Sequence, residues 1–201
     1  MPPSTSGLLV GKIGSIMIAP YGTTAPFTIP PSGSFDIAAA VLPGAWTAAD
    51  LGYLHEDDTP EFGFDASSST ITAWQANGNV LRTLLNSKIR SVKFSCREFN
   101  RRVWALQEPG TVWTTGANGS YSASIPANGG NPPRAGLFEL NDLDVGFKVW
   151  WYIPRMTVSA FGAFKAANQD TMNAQFTLNF EAVNSTDPLY YLAGNHPGFA
   201  A

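Results

Sequence analysis

An alternation of apolar and polar residues with a period of two constrains this chain most. Ala174, Phe176, Leu178, Phe180 and Ala182 alternate with Gln175, Thr177, Asn179 and Glu181. Side chains two apart share one face of a strand, whereas a helix would scatter them around its axis. The segment is therefore a half-buried strand with one wet face. In the segment 145–153, Val145, Phe147, Val149, Trp151 and Ile153 share a face, and Lys148, Trp150 and Tyr152 share the other. A strand apolar on one side and aromatic on the other is either buried on both sides or half of an interface. Arg90, Val92, Phe94 and Cys96 form a third core face, with Arg90 near its edge, while Ser91, Lys93, Ser95 and Arg97 make the reverse polar and basic. Cys96 reads there as a small buried apolar group, not a nucleophile.

Local signals fill in the rest. Lys12 to Ala19 suits one strand inside a Pro- and Gly-rich first 45 residues. Asn77-Gly78 supplies the positive φ angles of a tight hairpin between a Trp74-containing strand and Val80 to Leu85. Asn100 is expected to cap the one convincing helix, in which Val103, Leu106 and Gln107 recur at helical spacing until Pro109-Gly110 stops the run. Arg101 and Arg102 sit poorly against the positive end of that helix, so something else holds them there, or they are simply solvated. Thr111 to Tyr121 and Leu137 to Leu140 suit further strands, with turns at Asn118-Gly119 and Asn128-Gly129-Gly130.

At 201 residues the chain is expected to form one domain with a real core. Within it, residues 1–11 read as a flexible N-terminal arm, 20–45 as an extended loop, 55–69 as a long acidic loop and 185–201 as a C-terminal tail. Only 13% of residues are charged and 12% are aromatic, against ~25% charged in an ordinary soluble chain. A surface so poor in charge risks sticky patches unless an oligomer buries them. A single cysteine rules out an intrachain disulfide and a Cys-based zinc site. No signal peptide and no membrane span are expected, because the apolar run from Leu8 to Ala19 is broken by Lys12 and glycines. A pI near 5.3 argues against a general nucleic-acid binder.

Catalytic chemistry has little support. The two histidines are His55 and His196, and no Gly-x-Ser-x-Gly elbow is present. Gly7 to Lys12 is one residue short of a phosphate loop, and Ile13 stands where a Mg²⁺-binding hydroxyl belongs. The expectation is no enzyme, no cofactor and no metal.

Charge is distributed in poles. Asp50 to Gln75 holds Asp50, Glu56, Asp57, Asp58, Glu61 and Asp65, with no Lys or Arg between Lys12 and Arg82. Arg82 to Arg102 holds Arg82, Lys88, Arg90, Lys93, Arg97, Arg101 and Arg102 against the one acid Glu98. The acidic stretch could ligate Ca²⁺, although it lacks regular ligand spacing; it could be a solvated loop; or it could be an acidic contact surface. Separated poles suit head-to-tail self-association.

Gly14 to Pro26 (GSIMIAPYGTTAP), Trp46 to Asp58 (WTAADLGYLHEDD), Thr70 to Thr83 (TITAWQANGNVLRT), the strand, cap and helix from Ser91 to Val103, and the closing strands Tyr152 to Phe164 and Asn173 to Asn184 follow one another in a specific order. In that order they resemble the major tail tube proteins of long-tailed bacteriophages, most closely those infecting actinobacteria. The resemblance implies a mainly β, sandwich- or barrel-like tail tube fold with one packed α-helix, an N-terminal arm and a long stacking loop. It implies a structural virion protein, assembled in the host cytoplasm, whose hexameric rings stack into the DNA conduit of the tail. Inner strands of each ring would join into a continuous barrel, which removes exposed sheet edges. An acidic lumen would pass DNA without sequence-specific binding, whereas a basic one would retain its phosphates. Expected partners are further copies of the chain, the tape measure protein, the tail terminator and distal tail or baseplate proteins, with no membrane. Larger relatives add a C-terminal immunoglobulin-like domain, and none is expected in the short tail after the last strand here.

Site expectations follow. Inter-ring contacts are assigned to His55, Glu56, Asp57, Asp58, Glu61 and Asp65 on the acidic side and to Arg97, Arg101 and Arg102 on the basic side. Trp150 and Tyr152 are assigned to the lateral contact between subunits. The rival readings are a tail terminator, connector or minor tail protein of the same fold, or a β-sandwich carbohydrate-binding module with exposed aromatics.

Overall fold

A computed structural model describes residues 13–28, 36–37, 39–54, 59–72, 80–142, 146–162, 165–167 and 170–196. Among these residues ten strands and two short α-helices follow in order, with one 3-10 turn: β1 (Ile13–Pro20), α1 (Gly44–Thr47), β2 (Glu61–Thr72), β3 (Val80–Cys96), α2 (Arg101–Gln107), β4 (Val112–Thr115), the 3-10 turn (Ala117–Gly119), β5 (Tyr121–Ser124), β6 (Arg134–Asp142), β7 (Phe147–Phe161), β8 (Lys165–Ala167), β9 (Asp170–Phe180) and β10 (Tyr191–Gly194). The mainly β expectation holds: the principal sheet is a curled antiparallel half-barrel in the order β1-β6-β7-β9-β3-β2, with β10 on β7 and β8 on β9. β4 and β5 pair only with each other.

The alternation read from β9 is the alternation the sheet uses. Ala174, Phe176, Leu178 and Phe180 are buried, and Gln175, Thr177 and Asn179 lie on the reverse at intermediate exposure. Their apolar side meets Val92, Phe94 and Cys96 of β3, Met156 and Val158 of β7, and Val103 and Leu106 of α2. Each such large side chain contributes about 1.5–3 kcal/mol on leaving water. Ser95, expected on the wet face of β3, is instead buried.

β7 is covered on both sides. Ile153 joins the first core, with Trp151 packed against it, while Val149, Trp150, Tyr152 and Ile153 are all buried. The second face is roofed by residues that looked like an extended loop. Phe27 stacks on Trp150 with ring centroids 6.4 Å apart, and Trp46 meets Tyr152 edge-on at 5.8 Å. Ile37 closes the same cluster. The Trp46 indole N–H donates to the Thr24 carbonyl at 2.9 Å, and the Tyr152 hydroxyl donates to that of Thr23 at 3.3 Å. These bonds satisfy the polar ends of two rings that are otherwise out of water.

Two expected loops are partly strand. Residues 61–69 lie in β2, not in a loop, and Tyr191–Gly194 of the tail pairs with β7 as β10. The hairpin over Asn77-Gly78 is present as β2 and β3, closing at Thr72 opposite Val80, while the turn itself lies outside the described residues.

Candidate assembly surface

The acidic and basic stretches meet first within one chain. Leu54 bridges to Cys96, and the Arg97 N–H donates to the Tyr53 carbonyl at 2.9 Å. Glu98 accepts from the Tyr53 N–H at 3.2 Å and from Asn100 Nδ2 at 3.3 Å. Asn100 caps α2 by accepting from the N–H groups of Arg102 and Val103 at 2.9 and 3.0 Å. Burial pushes the Cys96 thiol up to about 12, with Glu98 and then Asp50 adding to the effect. That thiol is inert at neutral pH.

The two arginines that oppose the helix dipole have partners that explain them. Arg102 Nη1 donates to the Asp50 carbonyl at 2.6 Å. Arg101 lies 5.1 Å from the centre of the Trp113 ring and donates to the Thr115 hydroxyl at 3.1 Å. Both side chains remain exposed, and Arg97 is half-buried. Arg101 and Arg102 thus lie at the start of α2, Arg101 against the β4–β5 hairpin, while Arg97 follows β3 beside Tyr53.

The acidic group is divided. His55, Glu56, Asp57 and Asp58 lie outside the described residues. Glu61 and Asp65 project from β2, which pairs with β3 on one edge only. Among the described residues no second strand pairs with the other edge of this 12-residue strand. Such an edge is a template for another strand. β2 and β3 continue past the body of the sheet: β3 meets β9 only from Ser91 to Cys96, so residues 80–90 pair with β2 alone.

Trp150 and Tyr152 do not present an interface. Their relative exposures are 0% and 6%, and both lie under Phe27, Ile37 and Trp46. The lateral-contact assignment for these two residues is corrected accordingly: the second face of β7 is covered from within the chain. Burial, with Tyr191 and Tyr21 nearby, raises the Tyr152 phenol above its ordinary value.

The wet face of the β2-β3-β9-β7 sheet is mostly neutral. Ser91 stands beside Asn179, Lys93 beside Thr177, and Thr157 beside Asn179 across adjacent strands. Two of its basic groups stand against acids, while Asp65 of β2 lies opposite the apolar Ile89. Glu61 is directly opposite Lys93, and Arg155 Nε bonds Glu181 Oε2 at 2.8 Å, with Thr157 donating to the other oxygen at 2.6 Å. Among the described residues no cluster of three or more His, Cys, Asp or Glu could hold a metal ion.

The surface that the sequence reading missed is apolar. Phe62 and Phe64 of β2 are 41% and 52% exposed at the rim of the first core. Arg90 stacks between Phe64 and Tyr190, 5.3 and 5.5 Å from their ring centres. Phe62 and Phe64 alternate with Gly63 and Asp65, which is the period-two signal that would have exposed them.

No match is found among curated proteins. Among solved structures the chain is similar to one from the PVC extracellular contractile injection system, in its sheath-tube complex in the extended state. Identity there is 8%, with 90% of this chain and 88% of that chain covered at a TM-score of 0.37. It is also similar to one from the anti-feeding prophage cap, a tube-terminating cap, at 10% identity, 90% and 87% coverage and a TM-score of 0.35. A family model described as phage tail tube protein matches residues 1–200. The chain belongs to the phage tail tube protein family and is a structural, non-enzymatic component of the virion tail.

Proposed function

We propose that this chain is the major tail tube subunit of a long-tailed phage, and that its hexameric rings stack into the conduit for DNA. The order of its sequence motifs favours a phage of actinobacteria. The observation that carries the ring reading is that the 12-residue β2 is the last strand of the sheet among the described residues and belongs to a ribbon that outruns the sheet. An edge of that length in a subunit of low charge needs a strand from a neighbour, and closing a ring of copies removes it.

The conduit reading rests on the wet face of the same sheet. A polyanion is retained by unneutralised Lys and Arg. Here Lys93 faces Glu61 and Arg155 is bonded to Glu181, amid Ser, Thr, Asn and Gln. Duplex DNA passing such a face gains little by stopping. Stacking of rings uses the segment His55–Asp65 of one subunit against Arg97, Arg101 and Arg102 of the next. Charge sets the register of that contact and apolar burial supplies its strength, because exposed pairs are screened near ~0.15 M salt. Further partners are the tape measure protein within, the terminator at one end and distal tail proteins at the other.

Negative-stain microscopy of the purified protein tests this. Tubes whose end-on views show six-fold rings are expected. Monodisperse monomers under all conditions would defeat the reading, and a capped single ring would favour a terminator.

A further inference from the structure

The β4–β5 hairpin pairs with no strand of the main sheet and is largely exposed, with Trp113 alone half-buried in its two strands. Val112, Tyr121 and Ile125 are 65%, 70% and 49% exposed, and every residue of β5 is exposed. No charged residue occurs between Glu108 and Arg134. An isolated two-stranded hairpin is marginal in water, and an exposed segment with apolar tips and no charge is poorly suited to remaining there.

This hairpin is nevertheless held in place. Trp113 packs edge-on against Trp104 of α2 at 6.3 Å and against Tyr121 at 5.7 Å, and the Trp104 indole donates to the Thr111 hydroxyl at 3.1 Å. At its base the Pro109 carbonyl oxygen approaches to 2.3 Å from where a Cβ on Gly129 would stand, so only glycine allows the two arms of the loop to close. The hairpin is a preset arm, and setting it in advance lowers the entropy lost on docking.

We propose that this arm docks on a second copy of the chain, in the groove beside β2 formed by Phe62, Phe64, Arg90 and Tyr190. The proposal rests on the ring reading and names a contact between neighbouring subunits. Complementarity selects the occupant. The groove offers apolar rings around one stacked guanidinium. The arm offers Tyr121, Val112 and Ile125 together with hydroxyl and amide acceptors such as Ser122 and Asn118, and it brings no charge of its own. An arm without charge can cover Arg90 without burying a second, unpaired ion. Arm and groove lie on different parts of one subunit, so the contact is heterologous and propagates from copy to copy, closing where the rotation allows. The groove is also continuous with the open β2 edge, so one neighbour covers both.

Disulfide trapping tests the contact. Cys96 is the sole cysteine and is buried with its thiol pKa near 12, so introduced surface thiols react alone. A chain carrying both Tyr121→Cys and Phe64→Cys is expected to give a ladder of covalent oligomers on mild oxidation, and neither single variant should do so. Tyr121→Asp is expected to keep the far-ultraviolet dichroism of the parent and lose assembly. Assembly of the parent without a ladder from the double variant would overturn the arm contact alone, as would assembly of Tyr121→Asp. Failure of the parent to assemble at all would overturn both the ring reading and this one.

Discussion

Asn100 ties the two poles of charge together through Leu51. Its Nδ2 donates to the Leu51 carbonyl at 2.9 Å, across 49 residues of sequence, while its Oδ1 caps α2 through the N–H groups of Arg102 and Val103. One amide thus seats the segment after Asp50 and starts the helix that covers the first core.

Separating these roles is possible by substitution. Asn100→Ser keeps a capping acceptor but cannot reach Leu51; Asn100→Ala loses both contacts. Loss of an N-cap costs about 0.5–2 kcal/mol, and a partly buried carbonyl left without its donor costs about 1–3 kcal/mol more. Chemical denaturation should therefore rank the variants parent, Ser, Ala in falling midpoint. Equal midpoints for Ser and Ala would show that the link to Leu51 contributes nothing.

Trp150 makes a sharper prediction because it was expected on a surface. It is fully buried, and its indole N–H donates to Glu139 Oε2. Trp150→Ala should destabilise the isolated subunit by about 3–5 kcal/mol. Trp150→Phe, which keeps most of the volume but removes the donor to Glu139 Oε2 while Asn141 still donates to Oε1, should cost about 1–3 kcal/mol. Thermal unfolding of monomeric protein checks both. A variant that unfolds like the parent but fails to assemble would return Trp150 to an interface.

Alkaline pH should weaken the fold through Cys96. Its thiol pKa is about 12 in the folded chain against an ordinary 9.0. Below the ordinary value both states hold the proton, so no stability is lost. Above it the unfolded chain releases the proton and the folded chain does not, so the unfolded state is favoured. Stability should fall from about pH 9 towards 12, and Cys96→Ala should flatten that fall. Tyr152, whose phenol is also raised, accounts for part of what remains. Hydrogen exchange or urea midpoints across this range would show the difference, and identical slopes in parent and variant would exclude Cys96 as the source.

Glu181 is predicted to matter for DNA more than for stability. It holds Arg155 at 2.8 Å, with both side chains about a third exposed. Glu181→Gln should change stability by no more than about 1 kcal/mol. The same change releases a guanidinium on the wet face. Assembled protein should then retain duplex DNA, and the retention should weaken as salt rises. Unchanged DNA retention would place the wet face away from the conduit.

Much of the fold was legible in the sequence because it rests on local signals. The period of two in β9, β3 and β7 located the strands and their dry faces. Asn100 and Pro109-Gly110 bracketed α2, since capping and helix breaking are decided within a few residues. Cys96 was readable as buried for the same reason: it shares a strand face with Val92 and Phe94.

What tertiary structure alone decided is what covers each face. Trp150 and Tyr152 alternate as surface aromatics would, and only the return of Phe27, Ile37 and Trp46 over β7 makes them core. Glu61 and Asp65 sat in an acidic run that reads as loop, and only pairing with β3 makes that run a strand with one open edge. Arg101 and Arg102 contradict the helix dipole until Trp113 and the Asp50 carbonyl come within reach. Periodicity is a property of consecutive residues, so the sequence by itself determined which segments form strands and which sides of them are apolar. Burial depends on segments tens of residues away, so the structure decided which apolar sides close within one subunit and which are left for another.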